Sequence, residues 1–206
     1  MLITISRQYG AGGSEVAQRI AAALGWSVVD NEIVGQVADR AGLTTEEVAA
    51  RDERPPTFVE RLARTLASSS QEFALPGGQL PAAVTEPSLV RLTEAVVKEA
   101  AAHGRVVLVG RAAPAVLGQS VGAIHAKMVA AKSFRIQVAM ERLSLDAKAA
   151  ERAMEEMDAR RARYHKQYYQ RDWEDPLHYH MVLNTGVLGF GGAAELVVAR
   201  ARALGW

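Results

Sequence analysis

The sequence contains no cysteine, which excludes disulfides, iron–sulfur clusters, cysteine-ligated zinc and thiol catalysis. It also has little net charge. The 24 Lys and Arg residues and 23 Asp and Glu residues give a formal charge of +1, so no overall charge points to nucleic acid or an anionic membrane. No apolar run approaches the roughly 18 residues that cross a bilayer, and no secretory leader is visible at the N-terminus. We therefore expect a cytoplasmic protein that binds neither nucleic acid nor membrane.

The remaining composition is that of an ordinary globular protein. The chain has 206 residues, of which 49% are hydrophobic and 23% are charged, and such values are typical of folded domains. A chain of this length can bury one substantial core. We therefore expect one domain with an attached lid or subdomain.

A glycine-rich turn near the N-terminus is the most informative feature of the sequence. The apolar run Leu2–Ile5 is typical of a β-strand and leads into Gly10, Gly12 and Gly13. An amphipathic helix follows at once, with Gly25 where a C-terminal cap would lie. This arrangement predicts a phosphate cradle, because glycines let backbone N–H groups converge on an anion and the helix N-terminus adds partial positive charge. The alternative is that the glycines only permit a tight turn.

The turn departs from the standard phosphate-binding pattern G-x-x-x-x-G-K-[ST]. When the chain is aligned on Gly12, Arg7 replaces the first glycine, Gly13 replaces the lysine, and Ser14 keeps the hydroxyl position. Ser14 could bind Mg²⁺ through its hydroxyl, or it could cap the helix. The residues expected to cradle phosphates are Gly10, Ala11, Gly12, Gly13 and Ser14.

The missing lysine requires a substitute cation if the site transfers phosphoryl groups, because such catalysis consists mostly of positioning and charge neutralisation. Arg7 is the nearest candidate, and its planar guanidinium matches the geometry of phosphate. The alternative is a surface arginine paired to a carboxylate. We expect Arg7 to be catalytic.

The rest of the chain alternates between predicted strands and helices. The further predicted strands are Ser27–Asp30, Arg105–Val109, Ala123–Ala130 and Tyr179–Leu183. The predicted helices are Asn31–Ala41, one opened by the capping box Thr44–Glu47, Ser88–His103, Phe134–Leu143, Asp146–Gln170 and Ala193–Leu204. A loop rich in serine, glycine and proline occupies about 68–87. Five strands separated by helices predict a parallel sheet with helices on both faces.

Five motifs of this chain resemble those of the P-loop nucleoside monophosphate kinases. The likeness is to cytidylate kinases in particular, and above all to the cytidylate kinase-like branch. The motifs are the opening signature Ile5–Gly13, then Val28–Asp30, Val109–Arg111, Asp158–Tyr164 and Leu183–Gly186. The likeness covers essentially the whole chain, and the motifs come in the family's order.

The resemblance implies a three-layer α/β P-loop NTPase fold whose five parallel strands have the order 2-3-1-4-5. It implies a single domain over 1–206, with an acceptor-side helical and loop insert at about 44–87 and a lid at about 144–172. The activity it implies is phosphoryl transfer from ATP, with Mg²⁺, to a nucleoside monophosphate such as CMP or dCMP.

The resemblance also implies the substrate contacts. Arg111 would anchor the acceptor phosphate, Asp30 would orient the acceptor's sugar or base, and Asn184 and Thr185 would lie beside the donor nucleotide. Two of these residues have alternatives from their sequence context. Arg111 could form a structural ion pair, and Asp30 could cap the helix that follows it.

A run of cations in the predicted lid helix would close over the transferring phosphate. The expected catalytic residues there are Arg160, Arg161 and Arg163, with Lys166 and Arg171 nearby. The same run could instead be a solvated helix face, or it could complement the helix dipole near the C-terminal end.

Two other functions fit the same residues. Loss of the lysine could leave a protein that binds a nucleotide without turning it over, or the acceptor could be another small molecule. An apolar stripe at helical spacing within about 57–73 could form a homodimer surface, or it could pack on the chain's own sheet.

Overall fold

The computed structural model describes residues 1–30, 86–118 and 122–206. The strands are β1 (Leu2–Arg7), β2 (Ser27–Asp30), β3 (Val106–Val109), β4 (Ala123–Val129) and β5 (Met181–Asn184). The helices are α1 (Gly13–Leu24), α2 (Glu86–His103), α3 (Ala113–Leu117), α4 (Lys132–Leu143), α5 (Ala147–Tyr169) and α6 (Thr185–Ala203). The helices predicted between Asn31 and Glu47, the proposed dimer stripe and most of the 68–87 loop lie outside the described residues.

The five strands form one sheet in the order β2-β3-β1-β4-β5. Strand β1 pairs in parallel with β3 on one side, with Ile5 opposite Val109, and with β4 on the other. Strand β4 pairs in parallel with β5. The expected α/β fold class and strand order are therefore confirmed.

The chain divides into two compact units. The first comprises Met1–Val28 and Gly104–Trp206, and the second comprises Val29–His103. The first unit contains β1, β3, β4 and β5 with helices α1 and α3 to α6. It also holds every candidate site residue except Asp30, so the site can be described within it.

One face of the sheet carries the apolar core. Alternate residues of β1, Ile3 and Ile5, are fully buried there against Val16 and Ile20 of α1 and Val197 of α6. Each such side chain stabilises the fold by about 1.5–3 kcal/mol relative to an exposed position. This face therefore holds α1 directly behind the strand that precedes the glycine turn.

The opposite face of the sheet also carries buried polar side chains. The intervening β1 residue Thr4 lies 2.8 Å from His125 Nδ1, and His125 Nε2 donates to the Gly118 carbonyl at 2.9 Å. Burial is the main cause that lowers the pKa of His125. The His125 ring stacks on His180, which accepts the His125 backbone N–H at 2.9 Å.

Two elements near the C-terminus differ from expectation. Strand β5 begins at Met181 rather than at Tyr179, because a 3-10 turn at Pro176–His178, capped by Asp175, comes just before it. Helix α6 begins eight residues before the predicted Ala193, because Asn184 caps it through Gly186 N. Its glycine-rich first part gave no apolar periodicity. A kink at Gly189 (φ +68°, ψ 165°) divides the helix.

None of the described helices is long and apolar enough to cross a membrane.

The burial of His165 on α5 predicts a loss of stability in mild acid. Burial, followed by the positive charges of Lys127, His178 and Arg171, lowers the pKa of His165 to about 4 from 6.5. Between these two pH values the unfolded chain binds a proton that the folded chain does not. The free energy of unfolding therefore falls as the pH is lowered from about 6.5 to about 4, by on the order of 3 kcal/mol.

Guanidinium unfolding at pH 7, 6, 5 and 4 measures this effect. We expect His165→Gln to flatten the pH dependence over that range. The exposed His103, changed to Gln, is the matched control and should follow the wild type. An unaltered slope in His165→Gln would contradict the assignment.

Candidate functional site

The loops that follow β1, β3 and β4 meet at the carboxyl edge of the sheet, which is where open α/β sheets bind ligands. The loop after β1 is the glycine turn, defined here as Gln8–Gly12. The loop after β3 is the β3 turn, defined here as Gly110–Ala112. Both lie in the first compact unit.

The glycine turn delivers the chain into the N-terminus of α1. Gly12 is the N-cap residue with φ +71°, and no side chain forms a capping hydrogen bond there. The N-cap position belongs to Gly12 and not to Ser14, which is the second residue of α1. The N-terminus of this 12-residue helix, with its partial positive charge, therefore follows the glycine turn directly.

Close neighbours require glycine at three positions of this region. A Cβ on Gly10 would lie 2.5 Å from the carbonyl oxygen of Arg135 in α4, and one on Gly12 would overlap the ring of Phe190. A Cβ on Gly13 would lie 2.7 Å from Cβ and 2.8 Å from Cγ of Arg7. The glycines thus permit close packing as well as the turn itself.

The Arg7 side chain packs on Gly13, the position at which the standard pattern has its lysine. This side chain leaves the end of β1, passes over Gly13, and extends to Gly110, where a Cβ would overlap its Nη1 atom. Any side chain at position 13 would collide with the stem of Arg7. A lysine at position 13 and an arginine at position 7 in this rotamer therefore exclude each other. The guanidinium lies between the glycine turn and the β3 turn.

The β3 turn is strained. Gly110, Arg111 and Ala112 have successive φ values of +79°, +56° and +48°. Left-handed backbone costs about 1–2 kcal/mol per non-glycine residue, and such strain is concentrated at ligand sites. The turn is tied to β1 by a 2.9 Å bond from Gly110 N to Ile5 O. It presents the half-buried Arg111 at the sheet edge.

Asp30 belongs to the second unit and is described by itself. It is the last residue of β2 and its side chain is buried.

Asp158 of α5 gathers three donors from three parts of the chain. It accepts hydrogen bonds from Tyr9 N at 2.8 Å, from Arg135 Nη1 at 2.5 Å and from Arg161 Nη1 at 3.2 Å. Arg161 Nη1 also donates to the Arg7 carbonyl at 3.1 Å. This network attaches the arginine-bearing helix to the glycine turn.

The three expected lid arginines occupy different environments. Arg161 contacts the glycine turn region and is only 15% exposed. Arg160 is 63% exposed and pairs with Glu156 one turn earlier on the same helix. Arg163 is exposed and lines an open cleft together with Lys166 and Arg171. Arg171 Nη1 donates to the Pro114 carbonyl at 3.2 Å, so this cleft borders α3.

Thr185, directly after β5, supports the glycine turn, and its neighbour Asn184 caps α6. Thr185 is fully buried, and its hydroxyl lies 2.9 Å from the Ala11 carbonyl and 3.2 Å from the Val129 carbonyl. The Thr185 side chain therefore holds the backbone of the turn. Asn184 Oδ1 accepts the Gly186 N–H at 3.1 Å and caps α6.

Sequence reasoning missed a buried lysine on β4. Lys127 is 1% exposed, and its Nζ donates to the Trp173 carbonyl at 2.7 Å and to Glu174 Oε2 at 2.9 Å. Nζ also lies 4.2 Å from the centre of the Trp173 ring. Burial lowers the pKa of Lys127, and Glu174 opposes that shift. Trp173 Nε1 in turn donates to Ser6 Oγ at 2.9 Å, so the segment after α5 is anchored on β1 and β4.

A sequence signal for this cluster existed, since a lysine inside the apolar run Ala123–Ala130 is unusual. Tyr179 completes the cluster by donating its hydroxyl to the Trp173 carbonyl at 2.9 Å, and burial raises the pKa of Tyr179 to about 12. Arg135 was also missed. Arg135 lies in α4 among both polar and apolar residues, and its spacing from them gives no sign of a functional role.

The described ranges contain no group of three or more His, Asp or Glu side chains placed to hold a metal.

Among curated proteins, none matches this chain. Several solved structures share its fold. An uncharacterized protein from Eubacterium ventriosum is 20% identical over 97% of each chain, with a TM-score of 0.68. A shikimate kinase from Bacteroides thetaiotaomicron is 14% identical over 99% of this chain and 97% of that one, with a TM-score of 0.53. A gluconokinase from Sinorhizobium meliloti is 14% identical over 97% and 91%, with a TM-score of 0.51. At these identities the likeness establishes the fold alone.

The sequence model of one family matches residues 2–187, which includes the glycine turn, the β3 turn and α5. These are the segments whose geometry forms the site. The chain therefore belongs to the cytidylate kinase-like family.

Proposed function

We propose that this protein transfers a phosphoryl group from ATP to a nucleoside monophosphate, with CMP or dCMP as the preferred acceptor. The observation that carries the proposal is the position of Arg7, between the N-terminus of α1 and the strained turn that contains Arg111. Membership in a kinase-like family supports phosphoryl transfer in general. The choice of acceptor rests on the family resemblance.

The donor phosphates would bind at the glycine turn and the first turn of α1. The backbone amides of Gly12, Gly13 and Ser14 supply neutral donors, and the helix dipole favours the anion. Ser14 would hold Mg²⁺ through its hydroxyl, together with oxygens of the phosphates, because Mg²⁺ is commonly bound by few protein ligands. The ion neutralises charge on the transferring group. Asn184 and Thr185 would lie beside the donor nucleotide, where Thr185 holds the Ala11 carbonyl of the turn and Asn184 caps α6.

Two guanidinium groups would supply the charge that the lysine provides in the standard pattern. Arg7 lies over Gly13, and Arg161 is attached to the Arg7 carbonyl. Positive groups positioned before the reaction stabilise the charge that develops on the transferring phosphoryl group without further reorganisation. The exposed Arg160 and Arg163 would add charge from the lid side.

The acceptor phosphate would bind Arg111, and Asp30 would orient the acceptor's sugar or base. Arg111 suits this role because its backbone conformation is strained and it stands at the carboxyl edge of the sheet. The open cleft lined by Arg163, Lys166 and Arg171 borders α3, the helix that follows the β3 turn.

One alternative is nucleotide binding without turnover. The absence of the lysine at position 13 favours it, because the amides of the turn could still hold a phosphate. A kinase for another small acceptor is a further alternative. The same fold occurs in a shikimate kinase and a gluconokinase, so the fold alone does not select a nucleotide acceptor.

Turnover with Mg·ATP and a panel of CMP, dCMP, UMP, AMP and GMP tests the proposal. We expect one pyrimidine monophosphate to be phosphorylated, and Arg7→Ala to lower kcat by on the order of 10²–10³-fold, as for other groups that stabilise developing charge. Arg19→Ala is the matched control, since Arg19 is an exposed arginine of α1 paired only with Glu15. Thermal stabilisation by ATP without any product would instead support the binding protein.

The packing of Arg7 on Gly13 predicts that the lysine cannot be restored alone. We expect Gly13→Lys to abolish turnover and to lower Tm, because the new Cβ collides with the Arg7 stem. The double variant Arg7→Gly/Gly13→Lys removes the collision and should recover Tm and ATP binding. A single Gly13→Lys variant that is as active and stable as the wild type would show that the two positions are independent.

The variant Arg111→Ala tests whether Arg111 binds the acceptor or the phosphate donor. Loss of a charge-assisted hydrogen bond of about 1.5–3 kcal/mol should raise KM for the acceptor about 10-fold to 100-fold while KM for ATP stays the same. Steady-state kinetics with each substrate varied in turn measures both constants. A change confined to ATP would place Arg111 on the donor side instead.

A further inference from the structure

Asp158 differs from the other carboxylates of α5. Glu151, Glu155 and Glu156 are exposed and pair with Lys132 or Arg160 on the surface. Such pairs contribute little to stability because solvent screens them. Asp158 is 18% exposed, and its two oxygens are used by a backbone amide of the glycine turn and by two guanidiniums.

The two arginine partners of Asp158 are as little exposed as the carboxylate itself. Arg135 is 11% exposed and Arg161 is 15% exposed. Arg135 Nη1 also lies 3.4 Å from the Tyr9 carbonyl, so both polar backbone atoms of Tyr9 are held by this cluster. Hydrogen bonds to charged groups in partly buried surroundings are stronger and more directional than neutral ones. The cluster therefore fixes the turn, α4 and α5 relative to one another.

Asp158 also holds two cations beside the glycine turn. Its carboxylate pairs with the guanidiniums of Arg135 and Arg161, next to a helix N-terminus whose dipole favours an anion. Asp158 thus fixes the position of Arg161 relative to the turn. Arg161 in turn donates to the carbonyl of Arg7 and stands next to the proposed lysine substitute.

We propose that Asp158 is a positioning residue of the phosphate site, which orients Arg161 and the Tyr9 amide so that the glycine turn and α5 respond together to the donor phosphates. This inference rests on the proposed function, because it assigns Asp158 to the same donor site. A shift of about 1 Å in a charged group can reduce turnover on the order of 100-fold. We therefore expect replacement of Asp158 to lower kcat rather than to change the affinity for the acceptor.

A double-mutant cycle tests the coupling. The variants are Asp158→Ala, Arg161→Ala and the double variant, with Asp158→Asn and Asp158→Glu to separate charge from shape. We expect each single alanine variant to lower kcat at least about tenfold, and the double variant to be no worse than the poorer single one, because both act through one network. Asp158→Glu should recover part of kcat, since it keeps the charge, and Asp158→Asn should recover less.

Glu151→Gln is the matched control. Glu151 lies on the same helix and pairs with Lys132 of the same neighbouring helix α4, but it has no contact with the turn. It should leave kcat and both KM values at wild-type levels. Additive effects of Asp158→Ala and Arg161→Ala on kcat would overturn the inference, and so would wild-type turnover in Asp158→Ala.

Hydrogen exchange provides a readout besides turnover. Mg·ATP should slow amide exchange in a peptide covering 8–12 in the wild type and in Glu151→Gln, and should fail to do so in Asp158→Ala. If no acceptor is phosphorylated but this pattern appears, the proposed transfer fails and the positioning role stands. If Mg·ATP protects the turn equally in Asp158→Ala, or does not protect it even in the wild type, the positioning role is overturned.

Discussion

The site depends on one steric constraint, the contact between the Arg7 side chain and Gly13. The stem of Arg7 fills the space of a Cβ at position 13, and its guanidinium fills the space of a Cβ at Gly110. Two glycines thus form the channel through which the side chain passes. The arrangement places a cation where the two turns approach each other, and it makes a lysine at position 13 incompatible with this rotamer of Arg7.

The other contacts of the glycine turn are consistent with this constraint. The Arg135 backbone packs on Gly10, the Phe190 ring packs on Gly12, and Thr185 holds the Ala11 carbonyl. Asp158 holds the Tyr9 amide from the side of α5. A turn supported from several elements has its amides oriented before any ligand arrives, and this is the property that makes backbone donors effective toward an anion.

The elements of the fold followed largely from local patterns. The apolar runs predicted five strands, and the glycine at position 25 marked the end of α1, as observed with φ +67°. Prediction failed at two element boundaries. Strand β5 begins late because the 3-10 turn Pro176–His178, capped by Asp175, comes just before it. The start of α6 was missed because glycines near Asn184 carry no apolar period, although the cap itself is a local signal.

The sequence by itself determined the fold class, the glycine turn and the absence of its lysine, because alternating strands and helices indicate a parallel α/β sheet and the chemistry of a turn depends on a few adjacent residues. The strand order was implied by the resemblance to a known family. Only the tertiary structure decided which of the α5 arginines contacts the region of the glycine turn. Arg160, Arg161 and Arg163 look alike in sequence, yet Arg161 alone of the three points from α5 toward the Arg7 carbonyl. Arg135 and Lys127 joined the site region from other elements. Their positions depend on how α4, α5 and the sheet pack, and no local pattern of residues encodes that geometry.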